Sequence, residues 1–129
     1  MKYFLLICFF LLSLSVHSQT GDFSEKQISD YIQSLIGGQR EVTVPSGRID
    51  LLHDGTAYEI EWASNWKESI GQCLWYAQQK NCKAGIILIN KKEGDYKYLI
   101  QLNSALAYAG LNNQITVYWF PDDLRKFMK

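Results

Sequence analysis

One stretch, RIDLLHDGTAYEIEWASNWKESIGQCLWY over residues 48–76, leaves the chain few architectures. Two short apolar runs flank His53-Asp54-Gly55-Thr56, and Asp-Gly at the centre of such a gap is a hairpin signal. The runs carry Asp50 on one side of the turn and Glu59 and Glu61 on the other. Ser64 then offers a cap for a helix in which Trp66, Ile70, Cys73, Leu74 and Ala77 recur at helical period. Its other face carries Glu68, Gln72, Tyr76 and Gln79 at i, i+3 and i+4 steps. A hairpin that feeds directly into an amphipathic helix requires an α/β domain.

The flanking sequence extends this unit. Ser24-Glu25-Lys26-Gln27 has capping-box spacing ahead of an apolar stripe of Ile28, Tyr31, Ile32, Leu35 and Ile36, and Gly37-Gly38 ends that helix. Residues 39–44 read as a strand carrying Glu41, followed by a turn at Pro45-Ser46-Gly47. After the second helix, AGIILIN is apolar enough to be buried on both faces. Leu99, Leu102, Leu106 and Ala109 mark a third helix, and residues 115–120 a last strand before Pro121. The expected order is αβββαβ plus a C-terminal helix and strand. The later βαβ unit predicts a right-handed parallel crossover and a mixed sheet with helices on both sides.

The N-terminus sets a destination. Met1-Lys2 precedes an almost wholly apolar run over residues 3–16, and Val16-His17-Ser18 resembles a cleavage site. Residues 1–18 read as a secretory signal peptide, too short for a membrane span. A secreted or periplasmic protein follows, with one domain over residues 19–129. Cys8 lies inside the apolar run, with Ile7 before it where a lipoprotein signal has a small residue. Losing Lys2 leaves 12 basic against 13 acidic residues, a net charge of −1. A nucleic-acid binder of that charge must use local basic patches. Export permits a disulfide, but a continuous helix separates Cys73 from Cys82 by about 13 Å, so a bond needs the chain to fold back after Lys80. The alternative is a core Cys73 and a half-buried Cys82 thiol.

Glu59 and Glu61, two apart on a strand, share a face, and the turn count places Asp50 opposite or near Glu59. Such a pair is either a solvated polar face or a pocket for a divalent cation, since carboxylates this close repel unless something positive lies between them. Mg²⁺ or Mn²⁺ suits oxygen ligands of this kind and lowers the pKa of bound water. The company of these acids, in a strand otherwise apolar enough to be central, favours the pocket.

G-R-I-D-L-L and Y-E-I-E-W, with eight residues between Asp50 and Glu59, resemble the motif of the PD-(D/E)XK nuclease superfamily, which includes restriction enzymes and Holliday-junction resolvases. G-Q-C-L-W-Y is similar to the Q-x-x-x-Y element that many members carry on the next helix. The resemblance covers residues 41–90. It implies a restriction-endonuclease-like core. In it Asp50 and Glu59 would ligate the metal with the Ile60 carbonyl, Glu41 would take the place of the upstream acid, and Gln72 would orient a water or phosphate. The family usually has Lys two residues after the second acid. This chain has Glu61, as some active restriction enzymes do, and Lys67 on the next helix is the candidate for a migrated lysine.

The resemblance therefore implies an exported Mg²⁺- or Mn²⁺-dependent nuclease acting on DNA or RNA. Its catalytic residues would be Asp50, Glu59, Glu61, Lys67 and Gln72. The alternative is a catalytically inactive relative that binds nucleic acid or a protein partner, and size and export alone also fit a toxin or immunity factor. His53 is expected exposed in a turn. Trp62, Trp66, Trp75 and Trp119 are packing residues of which one could stack a base. Arg40, Arg48, Lys80, Lys83, Lys91 and Lys92 are either surface charge or a phosphate track.

Overall fold

The computed structural model describes residues 22–129. The signal segment, its cleavage site and Cys8 lie outside the described residues. The described residues run through α1 (Glu25–Ile36), β1 (Gln39–Val44), β2 (Gly47–His53) and β3 (Thr56–Trp62). A short 3-10 turn, Ala63–Asn65, leads into α2 (Trp66–Lys80), followed by β4 (Lys83–Ile89), α3 (Tyr96–Tyr108) and β5 (Ile115–Phe120). A second 3-10 segment, Asp122–Phe127, lies near the C-terminus. The five strands form one mixed sheet in the order β1-β2-β3-β4-β5. The first three are antiparallel neighbours and the last three parallel. The architecture is thus α/β.

Local chemistry sets most of these limits. The Ser24 hydroxyl accepts the Gln27 N–H at 3.1 Å while the Gln27 side chain accepts the Ser24 N–H at 2.9 Å, the reciprocal pair expected at the start of α1. Gly37 caps its end at φ +85, and Gly38 follows at φ +100, where an added Cβ would stand 2.6 Å from the Leu52 carbonyl. Asp54 and Gly55 both take positive φ, as a two-residue hairpin requires.

The sheet is covered on both faces. Cys73, Ala77, Leu102 and Leu106 of α2 and α3 pack with Ala57, Ile86 and Leu88 on one side. Ile28 and Ile32 of α1, with Leu124, pack with Tyr58, Ile60, Ile87 and Ile89 on the other. β4 alternates between the two cores and is buried on both faces, which is why it reads as an unbroken apolar run.

Two local expectations are corrected. Ser64 does not cap α2: it sits in the 3-10 turn, and Asn65 occupies the cap position without a side-chain hydrogen bond. The inward face of α2 is also rotated. Ser69, Cys73, Tyr76 and Ala77 are buried while Leu74 is exposed. The reason lies in the sheet below. Gly47 leaves room for the Tyr76 ring, whose Cζ lies 2.7 Å from where a Cβ would stand, and the sheet presents Glu59, a polar group, to this helix. Among the described residues, no helix is long and apolar enough to cross a membrane.

Candidate functional site

The strand register turns a pair of neighbours into a special position. Arg40 pairs with Leu51 and Val42 with Ile49, so Glu41 and Asp50 lie opposite each other, yet they form no ladder pair. On either side of them the strands change face. Ile49 and Val42 belong to the α2 side, whereas Leu51 belongs to the α1 side. Glu41 absorbs the switch with φ +57. Asp50 absorbs it by withdrawing its backbone from β3 and substituting its side chain: Oδ2 accepts the Ile60 N–H at 2.9 Å. The Asp50 carbonyl is taken by the Arg40 guanidinium, which also bonds Asp30 at 3.2 Å.

This places Asp50 beside Glu59, as the turn count implies. Glu59 is 5 % exposed and its Oε1 has no partner. Burial pushes its carboxyl up to about 9, and the charge of Asp50 and a hydrogen bond to it add to the shift. Asp50 is itself raised by burial, opposed by the Ile60 N–H and by the bond from Glu59. The two therefore share a proton, held on Glu59 and donated to Asp50.

A second pair lies beside the first. Glu61 Oε1 accepts the Trp62 N–H at 3.0 Å and the Asn65 amide at 3.2 Å. Glu25, in the first turn of α1, is pushed up to about 8 by burial first, then by its hydrogen bond to Glu61 and the charges of Glu61 and Asp50. Glu25 belongs to the cluster but has no signal in the sequence beyond its place in the capping box, because a helix residue 36 positions before Glu61 must dock before the two side chains meet.

The remaining candidates fall elsewhere. Glu41 points to Arg40 and Arg48, at 3.8 and 3.9 Å. Lys67 is exposed, its Nζ 5.9 Å from the Trp66 ring, and has no ion pair among the described residues. Gln72 sits on α2 with a buried, unpartnered Oε1, one residue before Cys73. The charge of Glu59 is felt at Cys73, whose thiol is pushed up to about 12, by burial first. Cys73 and Cys82 are free thiols, buried and half-buried. His53 is half-buried at the end of β2 rather than exposed.

Arg40 ties these parts together. Its side chain is 12 % exposed and bonds to Asp30 and to the Asp50 carbonyl. Arg40→Ala should cost about 2 kcal/mol in urea unfolding, because the carbonyl it serves is left without a donor. Arg40→Lys should recover only part of that, since one ammonium cannot span both acceptors.

A different character prevails along the edge formed by the C-terminal ends of the parallel strands. Lys91, just past β4, places its Nζ 4.9 Å from the Trp62 ring at the end of β3. Lys97 stands 5.0 Å over Tyr98 in the first turn of α3, and Lys67 lies over Trp66 in the first turn of α2. Trp66 is oriented by its Nε1 bond to Gln101 at 3.1 Å. Lys92 follows Lys91, and the backbone N–H groups of both bond Asp95 Oδ2, which fixes the loop. Trp119 is buried, and Trp75 bonds the Pro45 carbonyl away from this edge.

No protein-family model matches the chain, and no solved structure matches it. The chain is similar to two KilA-N domain-containing proteins of Acanthamoeba polyphaga mimivirus. One is 41% identical over 54 residues, covering 42% of this chain and 14% of the relative. The other is 36% identical over 62 residues, covering 45% of this chain and 25% of the relative. The chain thus spans a quarter or less of the length of these relatives. These likenesses overturn the expected membership of the PD-(D/E)XK nucleases and the magnesium-dependent nuclease reading built on it. Among the described residues, no group of three or more His, Cys, Asp and Glu is arranged to hold a metal ion. In the cluster itself, burial and mutual repulsion favour the protonated forms of Glu25 and Glu59, while Asp50 accepts the Ile60 N–H and Glu61 accepts the Trp62 N–H and the Asn65 amide.

Proposed function

We propose that this chain is a DNA-binding module that uses the C-terminal edge of its parallel strands. The observation that carries the reading is the row of lysine-on-aromatic pairs there, Lys91 with Trp62, Lys67 with Trp66 and Lys97 with Tyr98. Lysines neutralise phosphates, and aromatic faces stack bases, so the combination suits a nucleic-acid strand. The likeness to KilA-N domain-containing proteins favours DNA binding over cleavage. The protonated carboxyls help. With Glu25 and Glu59 pushed up to about 8 and 9, two of the 13 acids that make the chain formally neutral carry little negative charge at neutral pH.

The test is fluorescence anisotropy of labelled DNA across a salt series. The wild-type protein should bind with a steep salt dependence. Lys91→Glu combined with Lys92→Glu should weaken binding about tenfold or more and lower the salt slope by about two. An absence of binding at low salt, or binding untouched by the double substitution, sinks the reading. Export of the protein by its N-terminal apolar segment is part of the same proposal, and sequencing of secreted material should begin at Gln19.

A further inference from the structure

Two depressions share Arg125 as a wall residue. The larger, of about 490 Å³, opens between α1 and the C-terminal 3-10 segment and is walled by Phe23, Ile28, Tyr31, Phe120 and Met128. Tyr31 stands edge-on to Phe120, with ring centroids 6.3 Å apart, which gives the wall a fixed aromatic corner. The smaller, of about 170 Å³, is polar and runs past Lys91 and Lys92. Pro121 and Arg125 line both.

The charges are distributed unevenly. In the wall of the larger depression Arg125 is the one charged residue described. In the smaller, Lys91, Lys92 and Arg125 face Glu93 and Asp122, a surplus of one positive charge. Arg125 meets Asp122 through a single contact of 3.3 Å between two exposed side chains, a pairing worth little in water.

We propose that the two depressions together bind a small amphipathic anion, a free molecule with one apolar chain and one carboxylate. The apolar part fills the larger depression, where the walls give a polar ligand little to bond. The carboxylate turns to Arg125, which lines both depressions, with Lys91 and Lys92 beyond it. Guanidinium and carboxylate match in geometry, and a charge-assisted bond there offsets the cost of bringing the head group out of water. The volume lies in the range of small-molecule sites. The site stands apart from the DNA-binding reading, although Lys91 and Lys92 belong to both surfaces.

Calorimetric titration of the full-length chain with decanoate, kept below its micelle concentration, tests this. One saturable site is expected, with a Kd on the order of 100 µM. Arg125→Glu should weaken it about tenfold. Met128→Trp, which fills the apolar end, should abolish it while circular dichroism stays unchanged. Should that variant not fold, Phe23→Ala at an exposed position should weaken decanoate binding without moving the melting temperature. Decanol should bind about tenfold more weakly than decanoate, and decylammonium more weakly still. No heat from the wild-type protein up to about 1 mM decanoate overturns the proposal. So does equal binding of all three compounds, or saturation seen only with anionic vesicles.

Discussion

Glu59→Gln should raise the melting temperature by on the order of 10 °C at about pH 8 and leave it nearly unchanged at about pH 4. The direction follows from the proton that Glu59 holds. Its carboxyl is pushed from 4.5 up to about 9 in the folded protein, by burial first and by Asp50 next. The folded state therefore binds a proton that the unfolded chain has released. Stability from this group is complete below its ordinary pKa and drains away as pH climbs from about 4.5 towards 9, by up to about 1.4 kcal/mol per unit. Glu25, pushed up to about 8, adds a slope of the same sign. An amide at position 59 can donate to Asp50 at every pH, so the variant loses the slope and keeps the bond. Melting curves across pH 4 to 9 decide the matter. A wild-type curve that is flat, or a Glu59→Gln protein weaker than wild type at about pH 8, would show that the pair does not share a proton.

Gly85→Val should destabilise the protein by about 3 kcal/mol or more, enough to leave much of it unfolded at physiological temperature. A Cβ at Gly85 would stand 2.5 Å from Cε1 of Tyr58 and 2.9 Å from the Thr56 side chain, on the central parallel pair. The Tyr58 ring cannot retreat: it is stacked on Tyr118, with centroids 6.0 Å apart, and belongs to the α1-side core. Relief would require moving a strand that is buried on both faces. Tyr58→Ala should partly rescue Gly85→Val, because the obstacle is removed with the ring. Urea titration of the two single variants and the double variant measures this coupling, and additive losses would show that the clash lies elsewhere.

The elements were legible because each rests on a local rule. Ser24 and Gln27 close a capping box, Asp54-Gly55 turns a hairpin, and the unbroken run of β4 announces burial on both faces. The proximity of Asp50 and Glu59 was legible too, since a two-residue turn fixes cross-strand partners by counting. The state of these acids was not. A pair of carboxyls can be satisfied by a cation, by water or by a proton, and the choice depends on how deeply they are buried and on what docks over them. The closure of this cluster by Glu25, a residue of α1, depends on long-range docking that no spacing encodes. The rotation of α2 is a second such case: apolar period alone points Leu74 inward, whereas the sheet beneath offers the space over Gly47 to Tyr76.

By itself, the order of residues determined which segments become strands and helices and in what order, and that three antiparallel strands lead into a parallel pair. Those outcomes depend on contacts a few residues apart, on glycine conformations and on apolar period. Only the packed molecule decided that β1 and β2 change face at Glu41 and Asp50, that four carboxyls from α1, β2 and β3 come together there, and that lysines and aromatic rings line the C-terminal ends of the parallel strands. These arrangements arise from distant segments meeting in a low-dielectric interior, where burial decides which groups keep their protons and which keep their charge.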